Sequence, residues 1–312
     1  MNLNNQSSHW RATTAVYNSR NPEMPPSSRL RWLCCALLLA ARIALASDRA
    51  ANCPALNWPR DSEMTTGFCL DASHGWKAIY DHVRNRTSIA STSDGGNDWT
   101  IQQLAPIGYS ATAMFFLDQH DGWVGLYDPS RIKSSVAATV DGGEHWTIEQ
   151  VDGLGYSPSS LFFLDTKHGW LELFMTGTTH MDLQCKIVRT DNGGARWTEI
   201  REQNIPPCGY MRFISIQTGW VIGNYGEGDR NQVWITNDGG TTWISHALPM
   251  PRNCKHCEIR FHETPQFEDT RHGTFTVEMQ AGTSKTLDVT YATDDSGRSW
   301  RIAKSVTEAP NR

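Results

Sequence analysis

Thr139-Val-Asp-Gly-Gly-Glu-His-Trp146 is one of five versions of a single motif in a chain of 312 residues. The others are Thr92-Ser-Asp-Gly-Gly-Asn-Asp-Trp99, Thr190-Asp-Asn-Gly-Gly-Ala-Arg-Trp197, Thr236-Asn-Asp-Gly-Gly-Thr-Thr-Trp243 and Thr293-Asp-Asp-Ser-Gly-Arg-Ser-Trp300. Their tryptophans stand 47, 51, 46 and 57 residues apart, so the indoles set the period of the chain. A second marker precedes each copy: His74-Gly-Trp76, Asp121-Gly-Trp123, His168-Gly-Trp170, Thr218-Gly-Trp220 and a degraded His272-Gly-Thr274. From that position to the later tryptophan the gaps are 23, 23, 27, 23 and 26 residues. Two markers kept in register five times identify an internal repeat.

Between the markers the pattern is strand. Apolar runs such as Ala113-Met-Phe-Phe-Leu117, Trp123-Val-Gly-Leu-Tyr127, Val136-Ala-Ala-Thr139 and Trp146-Thr-Ile148 are bounded by Gly, Asp, Asn or Pro, and no window after the amino terminus sustains helical periodicity. Each repeat therefore supplies four short strands, which is one propeller blade, because radial four-stranded sheets leave only short protected edges. The expected fold is an all-β propeller of five four-stranded antiparallel blades. Asp or Asn before Gly favours a tight hairpin, since Gly accepts positive φ and the Asx side chain bonds nearby amides. The tryptophan is expected to open the fourth strand, its ring wedged against the turn or the next blade. Asp94, Trp99, Asp141, Trp146, Asn192, Trp197, Asp238, Trp243, Asp295 and Trp300 are thus read as architecture. Calcium is disfavoured at these turns, because Asn192 replaces the acid in one copy and each turn has too few carboxylates for a hard cation.

The pattern Thr-x-Asp-x-Gly-x-x-Trp resembles the Asp-box, or BNR, repeat of bacterial neuraminidases and related secreted propellers. Its pairing with Phe116-Leu-Asp118 ahead of Gly122-Trp123 is similar to the photosystem II stability/assembly factor family. The resemblance covers residues 62–304. It implies seven blades and a chaperone-like docking role at a membrane or envelope protein, whereas only five copies occur here, with no stretch long enough for a sixth. Residues 47–61 are left as an amino-terminal segment in which Ala55-Leu-Asn-Trp58 adds an outer strand or seals the seam of the ring. Residues 305–312 form a tail.

Residues 24–46 have the layout of a secretory signal peptide: Arg29 and Arg31, an apolar run from Trp32 to Ala41, and a small-residue cleavage site at Ala44-Leu-Ala46. A membrane anchor needs about 20 apolar residues, and this run is shorter and carries Arg42. Residues 1–23 are polar and patternless, which suggests that translation starts at Met24. The expected destination is secreted or periplasmic, with no stable membrane span after cleavage. The remaining chain has 23 basic and 32 acidic residues, a formal charge of −9, which argues against nucleic acid or an anionic membrane as partner. Six cysteines, Cys53, Cys69, Cys185, Cys208, Cys254 and Cys257, read as three disulfides behind an export signal. Proximity favours 53 with 69, 185 with 208 and 254 with 257. Cys254-Lys-His-Cys257 could instead be half of a zinc site or a redox pair, but no second ligand pair is near and a strand follows, not a helix. Apolar residues make up 39 % and charged residues 20 %, an ordinary globular composition that excludes a disordered, collagen-like or polytopic membrane protein.

The strand 1–2 and strand 3–4 turns of a blade share one face, so the 2–3 turns and the links between blades share the other. That second face gathers Tyr80 to Arg84, Tyr127 to Arg131, Phe174 to Lys186, Gly223 to Asn231 and Glu278 to Leu287, with the repeated pairs Gly108-Tyr109, Gly155-Tyr156 and Gly209-Tyr210. Loops on rigid scaffolds carry binding residues, and Arg and Tyr are enriched among energetic hot spots. Arg84, Arg131, Arg230, Tyr109, Tyr156 and Tyr210 are the candidate binding residues, with a protein, peptide or glycan of the cell envelope as partner. The rival is a sialidase-like glycosidase with Arg84, Arg131 and Arg230 clamping a carboxylate and Tyr109 or Tyr156 as nucleophile. The Arg-Ile-Pro string of those enzymes is missing, the nearest being Met211-Arg-Phe-Ile214. His74, His168 and His272 occupy equivalent turns and read as hairpin residues. No catalytic set, cofactor or metal is assigned.

Overall fold

The computed structural model describes Leu56, Trp58 and residues 64–307 apart from 105, 152–155, 176–184, 201–205, 207, 224–230, 253, 255–256, 262–263 and 282–284. All regular structure among these residues is β. The first sheet is β1 (Met64–Cys69), β2 (Gly75–Asp81), β3 (Arg86–Thr92) and β4 (Thr100–Gln103), antiparallel in chain order. The second is β5 (Ser110–Phe116), β6 (Gly122–Asp128), β7 (Lys133–Thr139) and β8 (Thr147–Val151), and the third is β9 (Tyr156–Phe163), β10 (Gly169–Met175), β11 (Cys185–Thr190) and β12 (Thr198–Glu199). The fourth is β13 (Gly209–Phe213), β14 (Gly219–Gly223), β15 (Gln232–Thr236) and β16 (Ile244–Ala247). In the fifth, β17 (Glu258–Phe261) and β18 (Gln266–Phe267) both pair with β19 (Gly273–Ala281), followed by β20 (Lys285–Thr293) and β21 (Arg301–Thr307). Pro265, which has no amide to donate, stands in the break between β17 and β18.

Five such sheets are the blades of a β-propeller. One detail differs from the sequence reading: Trp99, Trp146, Trp197, Trp243 and Trp300 lie one residue before β4, β8, β12, β16 and β21, and do not open them. In that place the ring folds back on its own turn, as Trp146 Nε1 donating to the Gly143 carbonyl at 3.0 Å shows.

The second strand of each of the first four blades begins with a run of buried residues, as in Gly122–Asp128, whereas in β19 buried residues alternate with more exposed ones. The junction between blades is a repeated aromatic stack. Trp76 lies on Phe116 with ring centroids 3.6 Å apart, Trp123 on Phe163 at 3.5 Å, Trp170 on Phe213 at 3.7 Å and Trp220 on Phe267 at 4.3 Å. Each of these phenylalanines also meets the turn tryptophan of its own blade edge-on, at 5.9 to 6.4 Å. The indole N–H of Trp76, Trp123 and Trp170 then reaches across to the carbonyl of Gly142, Gly193 and Gly239 at 2.8, 2.8 and 3.1 Å. This geometry explains the glycine before each tryptophan: a Cβ on Gly122 would overlap the Phe116 ring, and one on Gly169 would lie 2.5 Å from Phe163.

Candidate binding face

The turns divide into two faces. The amides of Gly95, Gly142, Gly193, Gly239 and Ser296, in the 3–4 turns, donate to the carbonyls of Ser73, His120, Lys167, Gln217 and Arg271, in the 1–2 turns, so these two sets share one face. Its polar groups are consumed locally. Thr139 Oγ1 donates to Asp141 Oδ1 at 2.8 Å and accepts the Gly143 amide at 2.9 Å, while the His145 amide donates to Asp141 at 2.9 Å. Asn192 does the same work with its amide oxygen, bonded to Thr190 and the Arg196 amide at 2.9 Å each. The turn therefore needs an oxygen, not a charge. The His145 amide, the His145 ring and Thr139 hold Asp141 far below the usual carboxylate range.

In the 1–2 turns an aspartate accepts two backbone amides and a histidine ring: Asp71 with His74, Asp165 with His168 and Asp269 with His272. The His272 ring, with the His272 and Arg271 amides, lowers Asp269 from the ordinary 3.8 to about 2. A carboxyl depressed in the fold stabilises it above the unfolded value and loses that contribution as pH falls through the folded value. Wild-type protein is thus expected to lose thermal stability relative to Asp269→Asn between about pH 4 and the folded value of about 2, with no difference in slope above that window, in melting curves recorded against pH.

Two groups among the described residues bring three potential metal ligands within 4.8 Å: Glu172 with Cys185 and Cys208, and Asp141 with Glu144 and His145. In the first the sulfurs are bonded to each other. In the second the Asp141 oxygens already hold Thr139 and His145.

The 2–3 turns and interblade links make the opposite face. Asp81-His-Val-Arg84 and Asp128-Pro-Ser-Arg131 are the same turn in successive blades. Each aspartate accepts the amides two and three residues on, and each arginine doubles back onto it, Arg84 to Asp81 at 2.8 Å and Arg131 to Asp128 at 2.6 Å. Asp128 is fully buried. Burial raises its carboxyl, but the Arg131 guanidinium and the turn amides outweigh this and leave it below the ordinary value. Both guanidinium groups stay largely exposed, at 77 % and 63 %.

Between these turns runs the link Ile107-Gly108-Tyr109. The Gly108 amide donates to the Asn85 carbonyl of the first turn at 2.9 Å, and a Cβ on Gly108 would sit 3.9 Å from the Asp128 carboxylate of the second. Val83, Ile107 and Ile132 project from this continuous strip at 94 %, 53 % and 47 % exposure. Ile132 follows Arg131 with φ at 55°, where Asn85, φ 52°, holds the same place in the first blade. Asn tolerates the left-handed region; a β-branched residue there is a genuine outlier. The aliphatic tips were not among the sequence candidates. Aligning the two turns would have shown one of them, an isoleucine where the repeat calls for Asn.

The other candidates are dispersed. The Tyr109 carbonyl accepts Thr87 Oγ1, and that of Tyr156 accepts Ser134 Oγ. Tyr156 is 8 % exposed with Lys186 Nζ 5.0 Å from its ring centre, so it faces the protein more than solvent. Tyr210 is half-buried against the core shared by the fourth and fifth blades. Arg230 and Gly155 lie outside the described residues.

No protein-family model matches the sequence, and no curated protein does. Among solved structures, the chain is similar to a polysaccharide lyase of family PL25, an ulvan lyase bound to a glucuronate–sulfated rhamnose fragment, with TM-score 0.50 and 8 % identity over 81 % of this chain and 71 % of that one. It also matches YCF48 bound to a D1 peptide, at TM-score 0.46, 15 % identity, 80 % of this chain and 86 % of that one. A third match is the Hadza microbial sialidase Hz136, at TM-score 0.47, 12 % identity, 76 % of this chain and 56 % of that one. At such identities the likeness speaks for the fold alone.

Proposed function

We propose that the protein is an exported, non-catalytic scaffold that binds a polypeptide partner in the cell envelope through the strip over its first two blades. The observation that carries this reading is Ile132, kept exposed and β-branched at a position whose backbone favours Asn. Residues held in sparsely populated conformations cluster at functional sites. Exposed aliphatic tips beside arginines suit the side chains of another protein better than the hydroxyls of a sugar. The export part rests on the signal-like residues 24–46 and on the disulfides Cys185–Cys208 and Cys254–Cys257, which belong to oxidising compartments. No helix among the described residues is long and apolar enough to cross a membrane. A sialidase-like clamp is disfavoured because Arg84 and Arg131 are each neutralised by the aspartate of their own turn.

Ile132→Asn separates binding from stability. It is expected to raise stability by about 1 kcal/mol, since the left-handed strain disappears, and to lower affinity for apolar-rich peptides on an immobilised array by roughly tenfold, or about 1.4 kcal/mol. Ile107→Asn should lower affinity without the stability gain. Unchanged peptide binding in both variants, or turnover of a fluorogenic sialoside by the wild-type chain, would reject the proposal.

A further inference from the structure

The repeated junction fails on both sides at one place. β5, β9, β13 and β18 each end in a phenylalanine paired with the marker glycine of the next strand, but β1 ends in Cys69, paired with Gly75. On the fifth blade the stacking tryptophan is replaced by Thr274, which is exposed. Two residues after the marker glycine stand Val124, Leu171, Val221 and Phe275, all buried and apolar, whereas the first blade has Lys77, also buried, at 2 % exposure. The hydrophobic clusters among the described residues join blades one to two, two to three, three to four and four to five, and none joins five to one.

The slot left by the missing phenylalanine is nonetheless filled. A Cβ on Gly75 would overlap Leu56 Cδ1 and lie 3.5 Å from Trp58 Cη2, just as the other marker glycines abut phenylalanine. Leu56 is 6 % exposed. The Trp58 ring stands 5.4 Å from Trp99, taking the place that phenylalanine holds against the turn tryptophan in the other four blades. Cys69 is disulfide-bonded.

We propose that Leu56 and Trp58 complete the first blade in place of the absent phenylalanine, and that the face they cover is where the array of blades opens first. This inference is independent of the binding strip.

Hydrogen exchange read by mass spectrometry tests it. In Leu56→Ala/Trp58→Ala, amides of Met64–Asp81 should exchange at least about tenfold faster, with those of Tyr156–Met175 unchanged. Adding Cys69→Phe to the Leu56→Ala/Trp58→Ala chain should restore protection, because the new ring enters the slot that the other four blades fill this way. Unchanged exchange in the Leu56→Ala/Trp58→Ala chain, loss spread evenly over all blades, or a chain that the Cys69→Phe change does not rescue would each overturn the proposal.

Discussion

Trp123→Ala will cost the fold about 3–5 kcal/mol, the range for truncating a buried Trp or Phe. Trp123 is 3 % exposed, stacks on Phe163 at 3.5 Å and donates its indole N–H to the Gly193 carbonyl at 2.8 Å. Truncation empties a slot between two blades, releases Phe163 and leaves that carbonyl without its donor. Since whole domains are stable by only about 5–15 kcal/mol, the variant should unfold at a much lower urea midpoint, with an unchanged slope if both states keep their compactness. A finer comparison tests the hydrogen bond alone. Among the described residues the Trp220 indole N–H has no acceptor; in its junction Ser296, with φ at 66°, replaces the first glycine of the turn. Trp123→Phe should therefore cost about 1 kcal/mol more than Trp220→Phe. Equal costs would mean that ring packing alone holds the blades.

Much of this architecture is legible from residue order, because a repeat of 46 to 57 residues survives any uncertainty about strand ends. The glycine of the marker recurs visibly in all five repeats, but the ring it packs against does not. Phe116 lies six residues before Gly122 in the same blade, and the ring it receives, Trp76, comes from the blade before. The stacked partners stand 40, 40, 43 and 47 residues apart, a spacing that follows the repeat but that no local strand or turn rule reads as a contact. The proposed binding strip was half legible. Arg84 and Arg131 stood out as a repeat, and their role as locks on their own turns depends on Asp81 and Asp128 three residues earlier, a spacing visible in the chain. Ile107 and Ile132 did not stand out, since an aliphatic residue near a strand reads as core until its exposure is known.

Breaking the Cys185–Cys208 disulfide is the second large effect, and its position says why. Counting back five residues from the turn threonines Thr92, Thr139 and Thr190 gives Thr87, Ser134 and Cys185. In the first two blades the hydroxyl at this place donates to the backbone of the next blade, at Tyr109 and Tyr156. In the third the same crossing is covalent, from Cys185 to Cys208 just ahead of β13, at a sequence separation of 23. A closed loop of that length contributes roughly 3 kcal/mol in the chain-entropy picture. Glu172 reinforces the spot: buried at 2 % exposure, it accepts the Gly209 amide at 2.8 Å and the Ser159 hydroxyl at 2.5 Å. Cys185→Ala/Cys208→Ser should thus lose about 3 kcal/mol in urea unfolding. Cys185→Thr/Cys208→Ser should recover about 1 kcal/mol of it, because threonine restores the hydroxyl that the first blade uses. If both variants are equally destabilised, the bond acts only through the unfolded chain; if the threonine variant recovers stability, the crossing between blades matters in the folded state as well.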